Sequence, residues 1–201
     1  MPILHIVGDS ISIQYGPHLQ KFLSGTPWIY SRKEGPIGNI DYGGGANGGD
    51  SSMVLGYLTD CASAGKHWNL LLINCGLHDI KTDPITKTRQ ISEDSYRNNL
   101  HSILALAPTL APRLIWIRTT PVVDAIHQKH SSAFHRHHAD QQRYNAIADD
   151  VMRAANITAI DLDHFTRACG GDDVFCDHVH FTDPIRTQQA AYIAGWLTAQ
   201  S

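Results

Sequence analysis

Ile3-Leu4-His5-Ile6-Val7-Gly8-Asp9-Ser10 sets the pattern of the chain: a short apolar run, a glycine, then an acid and a serine ahead of a helical stretch. The run lacks the polar alternation of a half-exposed strand, as expected of a strand covered on both faces. In the stretch that follows, Tyr15, Leu19, Phe22 and Leu23 share one helical face. A strand turning straight into a helix is the unit from which parallel sheets are built.

The same unit recurs outward from this point. Apolar runs at Trp28–Tyr30, Leu70–Asn74, Leu114–Ile117 and Thr158–Leu162 read as further buried strands. Between them, Met53, Tyr57 and Leu58 lie on one helical face, and Leu100, Ile103, Leu104 and Ala107 on another. Glu93 and Asp94 stand near the start of the latter helix, where the helix dipole favours acids. Further helices are expected over Asp140–Ala155 and Pro184–Thr198, the second with a proline suited to its first turn. Strands alternating with helices predict an α/β fold, a parallel doubly wound sheet of about five strands, with ligands at the carboxyl ends of the strands. No repeat, low-complexity tract or linker divides the sequence, so a single domain over residues 1–201 is expected.

Composition narrows the function. Sixteen Lys and Arg against 19 Asp and Glu give a formal charge of −3 without long runs of one sign, which offers no footprint for nucleic acid or an anionic membrane. No apolar run reaches the ~20 residues that a membrane span needs. The start at Met1 leads directly into a strand pattern, so a cytoplasmic protein is expected if Met1 is native, and a secreted or periplasmic one if a leader was trimmed. None of the four cysteines forms a C-x-x-C pair, which argues against a structural zinc site. Cys169 and Cys176 flank a short loop, and a disulfide between them stays open on sequence alone.

Four segments that follow strands carry the chemistry. Gly8-Asp9-Ser10 places a serine at a strand-to-helix turn, where it serves either as a helix cap or as a nucleophile whose own N–H faces a developing oxyanion. Tyr42-Gly43-Gly44-Gly45-Ala46-Asn47-Gly48-Gly49-Asp50-Ser51-Ser52 fits no phosphate-binding pattern. Most of its glycines read as a flexible surface loop, while Gly49, just ahead of a helix, is placed to offer an N–H. Asn74-Cys75-Gly76-Leu77-His78-Asp79 brings side-chain donors to the same edge. In Phe175-Cys176-Asp177-His178-Val179-His180-Phe181, Asp177 and His180 are three apart, a spacing at which the carboxylate reaches the imidazole within one turn. His178 competes for the role of base, but adjacency to Asp177 is a poor spacing for that bond. Together the segments supply nucleophile, base, orienting carboxylate and oxyanion donors, the set that acyl transfer requires.

At these residues the chain resembles the SGNH (GDSL-like) hydrolase superfamily. Gly8-Asp9-Ser10 matches its first block, Gly49-Asp50-Ser51 its second, Gly76-Leu77-His78-Asp79 its third and Asp177 with His180 its last, in the same order. The resemblance implies a three-layer, flavodoxin-like fold and a serine esterase with Ser10, Asp177 and His180 as its triad. It also implies an oxyanion hole from Ser10, Gly49 and the third block, with neither metal nor organic cofactor. The family generally has asparagine where His78 stands. His78 is expected to be the replacement donor, with Asn74 as the fallback.

His127, His130, His135, His137 and His138 crowd the segment after the fourth strand, in a spacing that fits no closed zinc pattern. A solvated loop is expected there, the alternatives being a metal site, a substrate-facing lid, or a loop part of which borders the pocket. No long apolar lid is present to shelter a fatty acyl chain. The expected substrate is therefore a small-molecule or carbohydrate ester, with acetyl removed from a sugar as the leading reading. Alternatives are a lysophospholipase or thioesterase, a metal-dependent hydrolase, and a carbohydrate-binding protein that has lost catalysis.

Overall fold

Five parallel strands form the sheet in the computed structural model, which describes residues 1–199. They are β1 (Ile3–Val7), β2 (Ile29–Arg32), β3 (Leu70–Ile73), β4 (Leu114–Ile117) and β5 (Thr158–Ile160), in the order β2-β1-β3-β4-β5. Every residue of β3 is buried, as is β1 from Leu4 onward, which is why these strands read as unbroken apolar runs. β2 lies at an edge and is only half-covered.

The helices between the strands are α1 (Ser10–Phe22), α2 (Ser51–Ser63), α3 (Glu93–Leu110), α4 (Asp124–His130), α5 (His138–Ala154), α6 (Leu162–Ala168) and α7 (Asp183–Ala199). α7 packs on α1 and α6, while α3 packs on α2 and α5, so two helical layers flank the sheet in the expected doubly wound arrangement. The strand order reverses direction between β1 and β3. A crevice opens at the carboxyl ends of strands at such a reversal. The chain leaves β1 there through Gly8, Asp9 and Ser10, and leaves β3 through Asn74 to Asp79.

Several local expectations need correction. Phe22 and Met53, placed on buried faces by periodicity, are exposed. β5 stops at Ile160 because Asp161 accepts the His164 N–H at 2.9 Å and caps α6, so Leu162 starts a helix rather than ending a strand. The second strand lies at Ile29–Arg32, displaced toward the C-terminus of the expected run. Cys169 and Cys176 are free thiols whose Sγ atoms donate to the Phe165 and Phe181 carbonyls, each at 3.3 Å. Among the described residues, no helix is long and apolar enough to cross a membrane.

Candidate active site

The turn after β1 separates two roles that a serine could combine. Asp9, not Ser10, is the N-cap of α1: its Oδ1 accepts the Ile11 N–H at 3.0 Å. Ser10 is thus the first helical residue, its N–H has no acceptor within the helix, and its hydroxyl is free for another partner. That partner is His180, whose Nε2 lies 2.7 Å from Ser10 Oγ.

The segment carrying His180 is a tight turn stapled at its base. Phe175 and Phe181 form an antiparallel bridge with ring centroids 5.0 Å apart, and the Cys176 N–H donates to the His180 carbonyl at 2.9 Å. Inside the turn, Asp177 Oδ1 accepts the N–H groups of Val179 (2.9 Å) and His180 (2.8 Å), which leaves Oδ2 for His180 Nδ1 at 2.7 Å. Burial alone would raise the Asp177 carboxyl, but these three hydrogen bonds overcome it and hold the group well below the usual carboxylate range. The expected Ser10, His180 and Asp177 therefore lie on one hydrogen-bonded line.

The other segments close around this line with mixed results. The loop ahead of Gly49 lies at the surface at Gly43, Gly44 and Gly45, as expected of most of its glycines, but Ala46 through Asp50 are buried. Arg32 Nη2 donates to the Ala46 carbonyl at 3.1 Å, Lys33 Nζ donates to the Gly45 carbonyl, and the Gly48 N–H donates to the Gly8 carbonyl at 2.9 Å. Gly49 adopts φ +72°, and a Cβ there would lie 2.5 Å from the Met53 sulfur, so only glycine fits without strain. Its N–H is not free, however. Asn47 Oδ1 accepts it at 2.9 Å in a local turn that forms because asparagine readily bonds the backbone two residues on.

Beyond β3, Gly76 at φ +150° lets the chain pass against Thr119, where a Cβ would come within 2.3 Å of Thr119 Oγ1. This turn buries His78, whose Nδ1 has no hydrogen-bond partner. Burial, followed by the neighbouring Arg136 and Lys81 cations, holds its imidazole well below the usual histidine value, so it is neutral and offers one N–H. The fallback donor Asn74 is otherwise engaged, its Nδ2 donating to the Ile117 carbonyl at 2.9 Å. Asp79 ties the second and third segments together by accepting the Ser51 N–H at 2.9 and 3.1 Å; burial outweighs these bonds and pushes its carboxyl up to about 7.

Three neighbours carried no local sequence signal for their positions. Arg136 is fully buried, donating from Nε to the Leu77 carbonyl at 2.6 Å and from Nη1 to His178 Nδ1 at 3.3 Å. His178 in turn meets Asp41 Oδ1 through Nε2 at 2.8 Å. The histidine-rich segment expected to be a solvated loop instead carries α4 and the start of α5. His127 is buried with its ring 4.9 Å from that of His178, whereas the helical His130 and His138 are exposed. Asp41, His178 and His180 each place one metal-ligating atom within 4.8 Å of the others.

The sequence matches the GDSL-like Lipase/Acylhydrolase family over residues 6–184. No curated protein matches the chain. Among solved structures, it resembles a lipase/acylhydrolase from Enterococcus faecalis at 16% identity, covering 100% of this chain and 97% of that one with a TM-score of 0.71. An acetyl xylan esterase from Geobacillus stearothermophilus aligns at 13% identity over 96% of this chain and 91% of its own, with a TM-score of 0.67. A carbohydrate acetylesterase from Sinorhizobium meliloti aligns over 100% of both chains at 12% identity and a TM-score of 0.63. These structures share the fold, and the family match covers the strands and turns that build the site. The chain belongs to the GDSL-like lipase/acylhydrolase family and is a carboxylic ester hydrolase.

Proposed function

We propose that Ser10 is the nucleophile of a serine esterase, with His180 as general base and acid and Asp177 as its orienting carboxylate. One observation carries this reading: Ser10 Oγ lies 2.7 Å from His180 Nε2, and His180 Nδ1 lies 2.7 Å from Asp177 Oδ2. Asp177, ionised at neutral pH, holds the proton on Nδ1 and leaves the Nε2 lone pair for the serine hydroxyl. As Ser10 Oγ attacks the ester carbonyl, its proton passes to Nε2 and the carbonyl electrons move to oxygen. The Ser10 N–H and a neutral His78 N–H stabilise that oxyanion, and Gly49 joins them only on releasing Asn47. His180 then protonates the departing alcohol, and water, deprotonated by the same imidazole, hydrolyses the acyl-enzyme.

The leading substrate is a short acyl ester, above all an acetyl group on a carbohydrate. A groove of about 430 Å³ is lined by Tyr42, Lys81, Asp83, Thr88, Arg89 and Gln90 together with Ala133 and Phe134, a mainly hydrogen-bonding surface with aromatic rings. Such a lining suits a sugar better than a fatty chain. The acetylesterases that share the fold are in keeping with this reading.

The test is hydrolysis of p-nitrophenyl acetate by wild type beside Ser10→Ala, His180→Ala and His178→Ala, each with and without a chelator. Activity is expected to vanish with Ser10 and His180 while surviving His178→Ala and the chelator. A Ser10→Ala variant as active as wild type refutes the assignment. Rates that rise with acyl length to eight carbons refute the short-chain reading.

A further inference from the structure

We infer that Asp41, His178 and His180 form an inhibitory site for a divalent transition metal, Zn²⁺ above all, which silences the esterase by occupying His180 Nε2. The inference rests on the reading of His180 as the base. Two imidazoles and a carboxylate are a donor set that Zn²⁺ takes readily, with a fourth position left for water. One ligand atom from each residue lies within 4.8 Å of the other two, and His178 Nε2 is already 2.8 Å from Asp41 Oδ1. Zinc bonds of roughly 2.0–2.2 Å set tetrahedral ligand atoms about 3.3 Å apart, so the three side chains need only small rotations.

The surroundings favour the ion on one side and weaken it on the other. His180 Nδ1 bonds the Asp177 carboxylate at 2.7 Å, the outer contact by which metal-binding histidines are commonly aimed. Asp41 and Asp177 together offset the two charges of the ion. Against it stand the Arg136 and Lys81 cations nearby. The His178 proton must also shift from Nε2 to Nδ1, which sacrifices the 3.3 Å contact with Arg136. These costs describe a reversible inhibitor site that a chelator empties, not a resident cofactor. Inhibition follows because Ser10 Oγ lies 2.7 Å from the same Nε2 lone pair, which cannot hold a metal and accept a proton at once.

The experiment titrates chelator-stripped protein with ZnCl₂ during p-nitrophenyl acetate hydrolysis, for wild type, Asp41→Asn and His178→Gln. The expected result is EDTA-reversible inhibition of wild type, with the half-inhibitory concentration rising at least about tenfold in each variant. Full wild-type activity at about 1 mM Zn²⁺, or equal inhibition in all three proteins, overturns the site. Calorimetry on Ser10→Ala gives a readout independent of hydrolysis: one zinc site is expected, and it should be lost in Ser10→Ala/His178→Gln. If the wild type proves inactive, that calorimetric result alone decides: His178-dependent binding upholds the site although the esterase reading fails, and its absence overturns the site.

Discussion

Two aspartate–histidine pairs meet at the turn that carries His178 and His180, and their contrast is why the proposed chemistry is given to one of them. His180 bonds Asp177 at 2.7 Å, and His178 bonds Asp41 at 2.8 Å, so neither distance distinguishes them. What differs is the far nitrogen of each ring. That of His180 faces the Ser10 hydroxyl, which can give up a proton; that of His178 faces Arg136, a guanidinium that only donates. The lone pair of His178 is therefore occupied, and its Nε2–H is committed to Asp41. The third group in each line is what separates the proposed base, His180, from the proposed bystander, His178.

The sharpest way to break this comparison is to neutralise both carboxylates in turn. Asp177→Asn should lower kcat by roughly 10³–10⁴, because the amide cannot hold the required tautomer, whereas Asp41→Asn should stay within about threefold. Steady-state kinetics on p-nitrophenyl acetate measure both, and comparable losses would erase the distinction. Next in size is the oxyanion side. His78→Ala is expected to cost about 10² in kcat with little change in KM, and His78→Asn should recover most of it. A loss confined to KM would place His78 in ground-state binding instead.

The smallest effect concerns the histidine that leans on the bystander pair. Burial, then the Arg136 and His178 charges, pushes His127 down from 6.5 to about 3. A base whose folded value is depressed stabilises the fold fully above its unfolded value, here 6.5, and that stability is lost as pH falls toward 3. His127→Phe should flatten the decline by about 2 kcal/mol at pH 5, read from denaturant midpoints across pH. An unchanged slope would show that the ring is solvated after all.

How much of this was legible depended on whether the cause was local. Ile3–Val7 and Leu114–Ile117 coincide with β1 and β4 because burial on both faces writes itself into the strand as an apolar run. The hydrogen-bonded line of Ser10, His180 and Asp177 was foreseeable because each residue stands beside a turn whose own residues build it. Edges were less so: the cap at Asp161 is a side-chain bond that no apolar pattern encodes. Arg136 and Asp41 were missed because they reach the site from distant segments, Arg136 to Leu77 and Asp41 to His178, with no spacing to announce it. The bond between Gly49 and Asn47 had a signal in the asparagine two residues earlier, which the resemblance to a family donor obscured. The buried half of the glycine-rich loop was misjudged for a related reason: Arg32 and Lys33, which tie it down, belong to and follow β2.

Covalent labelling tests the central claim most directly. A fluorophosphonate probe reacts with a serine only when its hydroxyl is activated by a base, and mass spectrometry of the digested protein locates the adduct. One adduct is expected, on Ser10, absent from His180→Ala and retained in His178→Ala. An adduct on another serine, or Ser10 labelling that survives loss of His180, would contradict it.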